Sequence, residues 1–331
     1  MRIKDIAEAL NLSISTVSKA ITGAFDVSET TRQLVLNYVK ECGYQTKEER
    51  KISKHRRRIC ILFDNMNLNA QGNIFYPLAT SFSTEATANN CEVVIEALSN
   101  KDESFNLSSY LEDNKFDGTF IVGINYHSKL FDQLDNINHP VVLYDNNYTA
   151  DNVSTVGIDN LNSISKIVSY LVSKGHRNIG FLNGEKHSFV SNERLAGYII
   201  GLSNNNIEYN PDFVINGDYT KTSAENLSDF FLNKGITAVV CSSDLMAIGL
   251  IEGFTSKGIR VPEDISITGF DDLDIAEHIK PSLTTVKQDF AKMGKTAFEL
   301  LSSLFINKSP QRVTLRGQIV ERNSVIERSE K

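Results

Sequence analysis

From Ile59 onward, short apolar runs alternate with stretches of helical character, and few architectures accommodate that alternation. Strands are predicted at Ile59–Phe63, Glu92–Ala97, Gly118–Val122, Pro140–Tyr144, Ser154–Ile158, Asn178–Leu182, Val214–Gly217, Ala238–Ser242 and Ile265–Gly269. Helices are predicted between them, for example at Leu78–Asn90, Leu161–Lys174, Glu193–Asn204, Ala224–Asn233 and Asp244–Lys257. Lys174-Gly175, Lys234-Gly235 and Lys257-Gly258 supply helix ends, because glycine takes the left-handed conformation that closes a helix. A helix between two strands of one sheet makes those strands parallel, with helices on both faces. Nine such units exceed one comfortable open sheet, so the α/β body is expected to form two lobes.

The first 58 residues follow another pattern. Ile3, Ile6, Ala7 and Leu10 share one helical face. Asn11-Leu12-Ser13 interrupts it, with Asn suited to a tight left-handed turn and Ser13 to an N-cap. A second helix over Ile14–Ile21 turns Val17, Ala20 and Ile21 inward and Ser15, Thr16, Ser18 and Lys19 outward. Ser28, with Thr31 and Arg32, opens a third, whose apolar residues are Leu34, Val35, Tyr38 and Val39. Two short helices joined by a tight turn and braced by a third form a helix-turn-helix, whose second helix can enter a DNA major groove. Charge agrees. Met1–Arg58 holds 12 Lys and Arg against 7 Asp and Glu, whereas the remainder holds 22 against 34. A basic end on an acidic body suits contact with a polyanion through that end alone.

Other function classes lack their residues. No run of about 18 apolar residues exists, so no membrane span is expected. The opening MRIKDIAEAL is too charged for a secretory signal, which makes the cytoplasm the expected location. Cys42, Cys60, Cys91 and Cys241 form no CxxC pair and the six histidines are scattered, so free thiols are expected, with no metal or cofactor. No G-x-G-x-x-G, Walker lysine or G-x-S-x-G motif follows a strand, so neither a nucleotide site nor an enzyme is indicated.

The segment IKDIAEALNLSISTVSKAITG, followed by VSETTRQLVLNYVKECGY, resembles the headpiece of the lactose-repressor (LacI/GalR) family nearly position for position. GHRNIGFLNG, SNERLAGY, AVVCSSDLMAIG, VPEDISITGFDD, SLTTVKQDFAKMG and LRGQIVERNS extend the resemblance over almost the whole chain. It implies a three-helix headpiece with a basic hinge linker at 1–58 and a two-lobed, periplasmic-binding-protein-like effector and dimerisation domain at 59–331. The lobes would be joined by three crossings, near Asn160, Val286–Asp289 and Val320. The implied activity is that of a homodimeric transcriptional repressor of carbohydrate-use genes, binding operator DNA under allosteric control of a small sugar-like effector. The chain runs only to Lys331 after its last strand, with no apolar heptad, so no tetramerising coil is expected.

By the same resemblance Ile14, Ser15 and Lys19 read base edges, while Ser13, Thr16, Ser18, Thr31 and Arg32 contact the DNA backbone. The family's hinge segment P-N-x-x-A-x-x-L is replaced by Gln45–Lys54, where Ser53 takes the place of the groove-wedging Leu and Ile52 precedes it as the substitute. The effector set carried over is Phe75, Tyr76, Asp145, Arg194, Tyr219, Ser243, Asp271 and Phe290. Asp acceptors and an Arg fork suit sugar hydroxyls, and aromatic rings suit the C–H faces of sugars. Leu245 stands where some relatives place a polar ligand-binding side chain. The competing readings are a transport-type sugar-binding protein, a catabolite regulator that depends on a protein co-regulator, and an α/β enzyme fused to a DNA-binding module.

Overall fold

The computed structural model describes residues 3–22, 24, 26–42, 44, 56–64, 74–98, 105–126, 128, 130–148, 150–307 and 309–328. The predicted linker segment 45–55, with Ile52, lies outside the described residues. The chain divides into two compact units, Met1–Arg56 and Arg57–Lys331.

The first unit contains α1 (Ile3–Ala9), α2 (Ile14–Ile21) and α3 (Glu29–Cys42). Asn11 makes the turn after α1 with φ 53°, and Ser13 caps α2 by accepting the Thr16 N–H at 3.0 Å. Ile6, Ala7, Val17, Ala20 and Val35 are buried together as its core. Leu34, expected among the apolar residues of the third helix, is half exposed, because the helix turns about 100° per residue and Val35 takes the inward position.

The second unit is built on two parallel sheets. The first contains β1 (Arg58–Phe63), β2 (Glu92–Ala97), β3 (Gly118–Val122), β4 (Val141–Tyr144), β5 (Val153–Ile158) and β11 (Arg312–Leu315), ordered β11-β5-β4-β3-β1-β2. The second contains β6 (Ile179–Asn183), β7 (Val214–Asn216), β8 (Ala238–Cys241) and β9 (Ser266–Thr268), ordered β7-β6-β8-β9. In register, Ile59 pairs Gly118 in the first and Ile179 pairs Ala238 in the second. In both sheets the order reverses beside the first strand, β1 against β3 and β6 against β8. Such switch points open a crevice at the carboxyl ends of the strands, where ligands bind.

Helices cover the sheets: α4 (Phe75–Ala88), α5 (Leu107–Asp113), α6 (Asn160–Ser173), α7 (Phe189–Asn204), α8 (Lys221–Asn226), α9 (Ser228–Phe231), α10 (Asp244–Ser256), α11 (Asp274–His278) and α12 (Phe290–Asn307). The helix predicted at Ala224–Asn233 is two helices, α8 and α9, because the chain bends at Leu227. The chain passes from the first sheet to the second through Asn160 and back through β10 (Thr285–Lys287) into α12 and β11. It leaves again through β12 (Gln318–Val320), which pairs antiparallel with β10. The final segment then zips onto the second sheet: the Ile267 N–H donates to the Ser324 carbonyl at 2.9 Å, and buried His176 lies 3.1 Å from the Ile326 carbonyl. β10, β11 and β12 were not among the predicted strands: each carries an exposed polar residue, unlike the equally short but fully buried and apolar β4 and β8.

Gly197 and Gly201, one turn apart on α7, bring it close to α6. A Cβ on Gly197 would lie 2.4 Å from the Leu161 carbonyl oxygen. Gly197→Ala is therefore expected to destabilise the second unit by about 1–3 kcal/mol, the usual effect of overpacking a tight contact. Urea denaturation checks this, and an unchanged midpoint would mean the helices separate without strain.

Candidate functional site

A cavity of about 800 Å³ opens between the two sheets at the carboxyl ends of their strands. Of the eight effector residues expected from the sequence, Asp145, Arg194, Tyr219, Ser243 and Asp271 line it. Asp145 follows β4, Tyr219 follows β7 and Asp271 follows β9. All three have positive φ, 50°, 67° and 122°. L-residues avoid that region, and such strain concentrates at functional sites. Gly157 makes room for Asp145, since a Cβ there would lie 2.3 Å from Asp145 Oδ1.

Arg194 is buried on α7. Its Nε donates to Asn160 Oδ1 at 2.8 Å, its Nη1 donates to the Ser242 carbonyl, and its guanidinium lies 3.8 Å over the Phe270 ring. Asp145 Oδ1 accepts from the Ile158 N–H at 3.1 Å and from Asn160 Nδ2 at 3.4 Å. Gln288 donates through Nε2 to Asp271 Oδ1 at 2.7 Å and accepts at Oε1 from the Tyr144 hydroxyl at 2.9 Å. Asn160 and Gln288 stand at chain crossings, so each amide ties a group of one lobe to a group of the other. The hydroxyl of Tyr219 bonds that of Ser191 at 2.7 Å. Ser243 caps α10, accepting the Met246 N–H at 3.2 Å. Asp244 beside it is fully buried, accepting the Leu273 N–H at 2.8 Å and the Thr285 hydroxyl at 2.5 Å.

Three expected effector residues stand elsewhere. Phe75 and Phe290 are buried in the apolar core of the first lobe, where Phe75 packs 4.7 Å from Phe63. Tyr76 is exposed on α4 and is not among the cavity residues. The sequence reading missed Tyr144, Ile74, Ile248, Leu273 and Ile275 in the lining, and the part that the Asn160 and Gln288 amides play in holding the acids. Among the described residues, no group of three or more His, Cys, Asp or Glu could hold a metal ion, and no helix is long and apolar enough to cross a membrane.

In the first unit, Ser13, Ile14, Ser15, Ser18 and Lys19 are exposed around the start and outer face of α2, while Thr16 and Thr31 are partly buried. Ile14 is 48% exposed, an apolar side chain displayed on a polar face. Lys19 forms an ion pair with Asp26. Arg32 points inward rather than out: its Nη2 donates to the Ala24 carbonyl at 2.7 Å and fastens the loop after α2.

Residues 2–47 match the profile of the lacI family of bacterial regulatory proteins, and residues 168–325 that of the periplasmic binding protein-like domain. The HTH-type transcriptional regulator MalR of Clostridium butyricum is 33% identical over 338 residues, spanning 98% of this chain and 99% of that relative. The chain belongs to the lacI family of bacterial regulatory proteins. Among solved structures, the transcriptional regulator CelR–cellobiose complex aligns over 98% of this chain and 99% of its own, with TM-score 0.75 and 27% identity. The lac repressor dimer bound to operator and the anti-inducer ONPF aligns over 98% and 99%, with TM-score 0.69 and 25% identity. This lacI-family chain is thus a helix-turn-helix transcriptional regulator with a periplasmic-binding-protein-like body.

Electrostatics in this regulator's cavity set two carboxyls against one cation. Burial raises Asp145 to about 6 and Asp271 to about 7, with Arg194 pulling both back. Burial and the nearby Asp271 push Asp244 well above the ordinary carboxylate range. In the unfolded chain Asp271 releases its proton near 3.8, whereas in the folded chain it holds it to about 7. Between those values the folded state binds more protons, so this group's contribution to stability falls as pH rises. Asp271→Asn resembles the protonated acid. In the ligand-free protein, its melting temperature relative to wild type should therefore rise between about pH 4 and about pH 7. A difference that stays constant across that range would place the titration elsewhere.

Proposed function

We propose that this chain is a sequence-specific DNA-binding repressor of carbohydrate-use genes, controlled by a neutral sugar or sugar derivative held between its lobes. The observation that carries the reading is the meeting of Asp145, Arg194 and Asp271 in one cavity, in a chain that also bears a helix-turn-helix. Two carboxyls and a guanidinium give acceptors and donors for adjacent hydroxyls, and Tyr219 adds a ring face. The relatives support this chemistry, one as a cellobiose complex and another as a dimer on operator DNA.

Residues 1–58 would then act as the headpiece and linker, with Ile52 entering the minor groove, and 59–331 as the effector-binding and dimerisation domain. Ile14, Ser15 and Lys19 would read base edges; Ser13, Thr16, Ser18 and Thr31 would fix register on the phosphates; Arg32 would act by holding the loop after α2. Ser243 would present its cap position to the effector. The protein would work in the cytoplasm as a sensor and not as an enzyme, in keeping with the transcriptional regulators it matches.

Two variants separate the two roles. Lys19→Ala should relax base preference at the operator, since a base-edge contact is worth about 1–3 kcal/mol of discrimination. Arg194→Ala should leave operator affinity in place and weaken effector binding roughly 10- to 150-fold, the loss of a charged hydrogen bond. Footprinting on mutated operators and calorimetry with the sugar that raises the melting temperature read the two effects. Unchanged sugar affinity in Arg194→Ala would remove this cavity from the control of DNA binding.

A further inference from the structure

The loop between α2 and α3 sets an acid beside the lysine on the outer face of α2. Thr22 caps the end of α2, and the residues after it are anchored on both sides of Asp26. The Ala24 N–H donates to the Lys19 carbonyl at 3.0 Å, and the Ala24 carbonyl accepts from Arg32 Nη2 at 2.7 Å. Val27 packs against the headpiece core, and Ser28 caps α3 by accepting the Thr31 N–H. Asp26 lies exposed between these anchors, and its Oδ2 accepts from Lys19 Nζ. That hydrogen bond holds the Asp26 carboxyl below the usual carboxylate range, so the acid is ionised at neutral pH. An ionised acid on a surface that meets DNA repels phosphates and cancels one of the cations that attract them.

The two kinds of DNA contact weigh that cancellation differently. Binding to an arbitrary duplex comes from neutralised phosphates, so a lysine counts there through its charge. At a base edge it counts through hydrogen-bond geometry. The Lys19 ammonium has three N–H donors. With one on Asp26, two remain, and they match the O6 and N7 acceptors of a single guanine. Adenine sets a donor beside its N7, and neither thymine nor cytosine offers two acceptors in the major groove. A phosphate can take Lys19 only by drawing it away from Asp26 and bringing a second negative charge toward that carboxylate. An exposed pair of this kind adds little to folding stability, so its effect is read in DNA preference. We infer that Asp26 is a specificity-determining residue: by pairing with Lys19 it withholds that charge from the phosphates of unselected DNA while leaving Lys19 able to bond a guanine edge.

This inference rests on Lys19 as a base reader, and the test separates the two. The full-length protein first selects its preferred duplex from a randomised library. Affinities for that duplex and for a shuffled one of equal composition are then measured between about 50 and about 200 mM salt. Asp26→Asn, nearly isosteric at an exposed position, should raise affinity for the shuffled duplex. It should also steepen the log–log salt slope there by about 0.9 for each headpiece engaged, the mark of one added phosphate contact. Affinity for the selected duplex should change less, so that the ratio of the two narrows at least about 5-fold at the lowest salt. In a Lys19→Ala background, Asp26→Asn should raise both affinities by the same factor, because no lysine remains to be released. An equal rise on both duplexes in the presence of Lys19, or an unchanged slope on the shuffled one, would overturn the role of Asp26 while leaving Lys19 as a base reader. A Lys19→Ala protein that loses preference at no base pair, or a wild-type protein that selects no duplex, would overturn the base reading and the inference with it.

Discussion

A guanidinium taken out of water needs partners of matching geometry, and Arg194 receives them from three directions: the Asn160 amide, the Ser242 carbonyl and the face of Phe270. Without them its burial would be opposed by several kcal/mol of lost hydration. With them it becomes a fixed positive charge between two carboxyls that belong to different lobes. The placement of Asp145 and Asp271 depends on that charge, since two buried acids facing one cavity would otherwise repel as they ionise. Asn160 and Gln288 complete the arrangement because a primary amide both donates and accepts. Asn160 donates to Asp145 of one lobe while accepting from Arg194 of the other; Gln288 does the same between Asp271 and Tyr144. A carboxylate or an amine at either crossing could serve only one side.

The headpiece rests on a different principle. Its core is five small or branched side chains, and its geometry is fixed by local hydrogen bonds: the Ser13 cap, the Ser28 cap of α3 at 3.2 Å to the Thr31 N–H, and the Arg32 clasp on Ala24. Such a unit can display Ile14, Ser15 and Lys19 on a rigid helix without a large apolar interior. The ion pair between Lys19 and Asp26 is exposed on both sides, so water and salt compete with it and Lys19 can exchange partners at little cost.

Much of this was written locally in the sequence. The second helix of the headpiece and the long buried strands follow from short-range patterns, and the structure keeps their positions within a residue or two; the acids after β4 and β9 were named through the family resemblance. Asn160 and Gln288 were not legible as functional groups, because an amide between two helices or strands has no signature until both partners are in place. Ile275 was equally hidden, since its exposure to a cavity depends on how two lobes meet, whereas the resemblance had already placed Leu245 at a ligand-binding position. Phe75 and Phe290 fail for the converse reason: each opens a helix that packs on the first sheet, and the apolar core claims a large ring placed at that point.

The path of the chain has a consequence for how the protein is made. The strands of the second sheet and most of its helices come from one continuous stretch, α6 to α11, with the final segment added at the end, whereas the first sheet needs β11, and α12 to cover it, from the far end of the sequence. During synthesis the earlier lobe therefore has to remain incomplete while the later one is produced. Strand β5 is an open edge for all that time, exposed to pairing with other chains until residues 312–315 arrive. Both lobes therefore wait for the far end of the sequence: residues 312–315 close the first sheet, and Ser324 and Ile326 then bond the second.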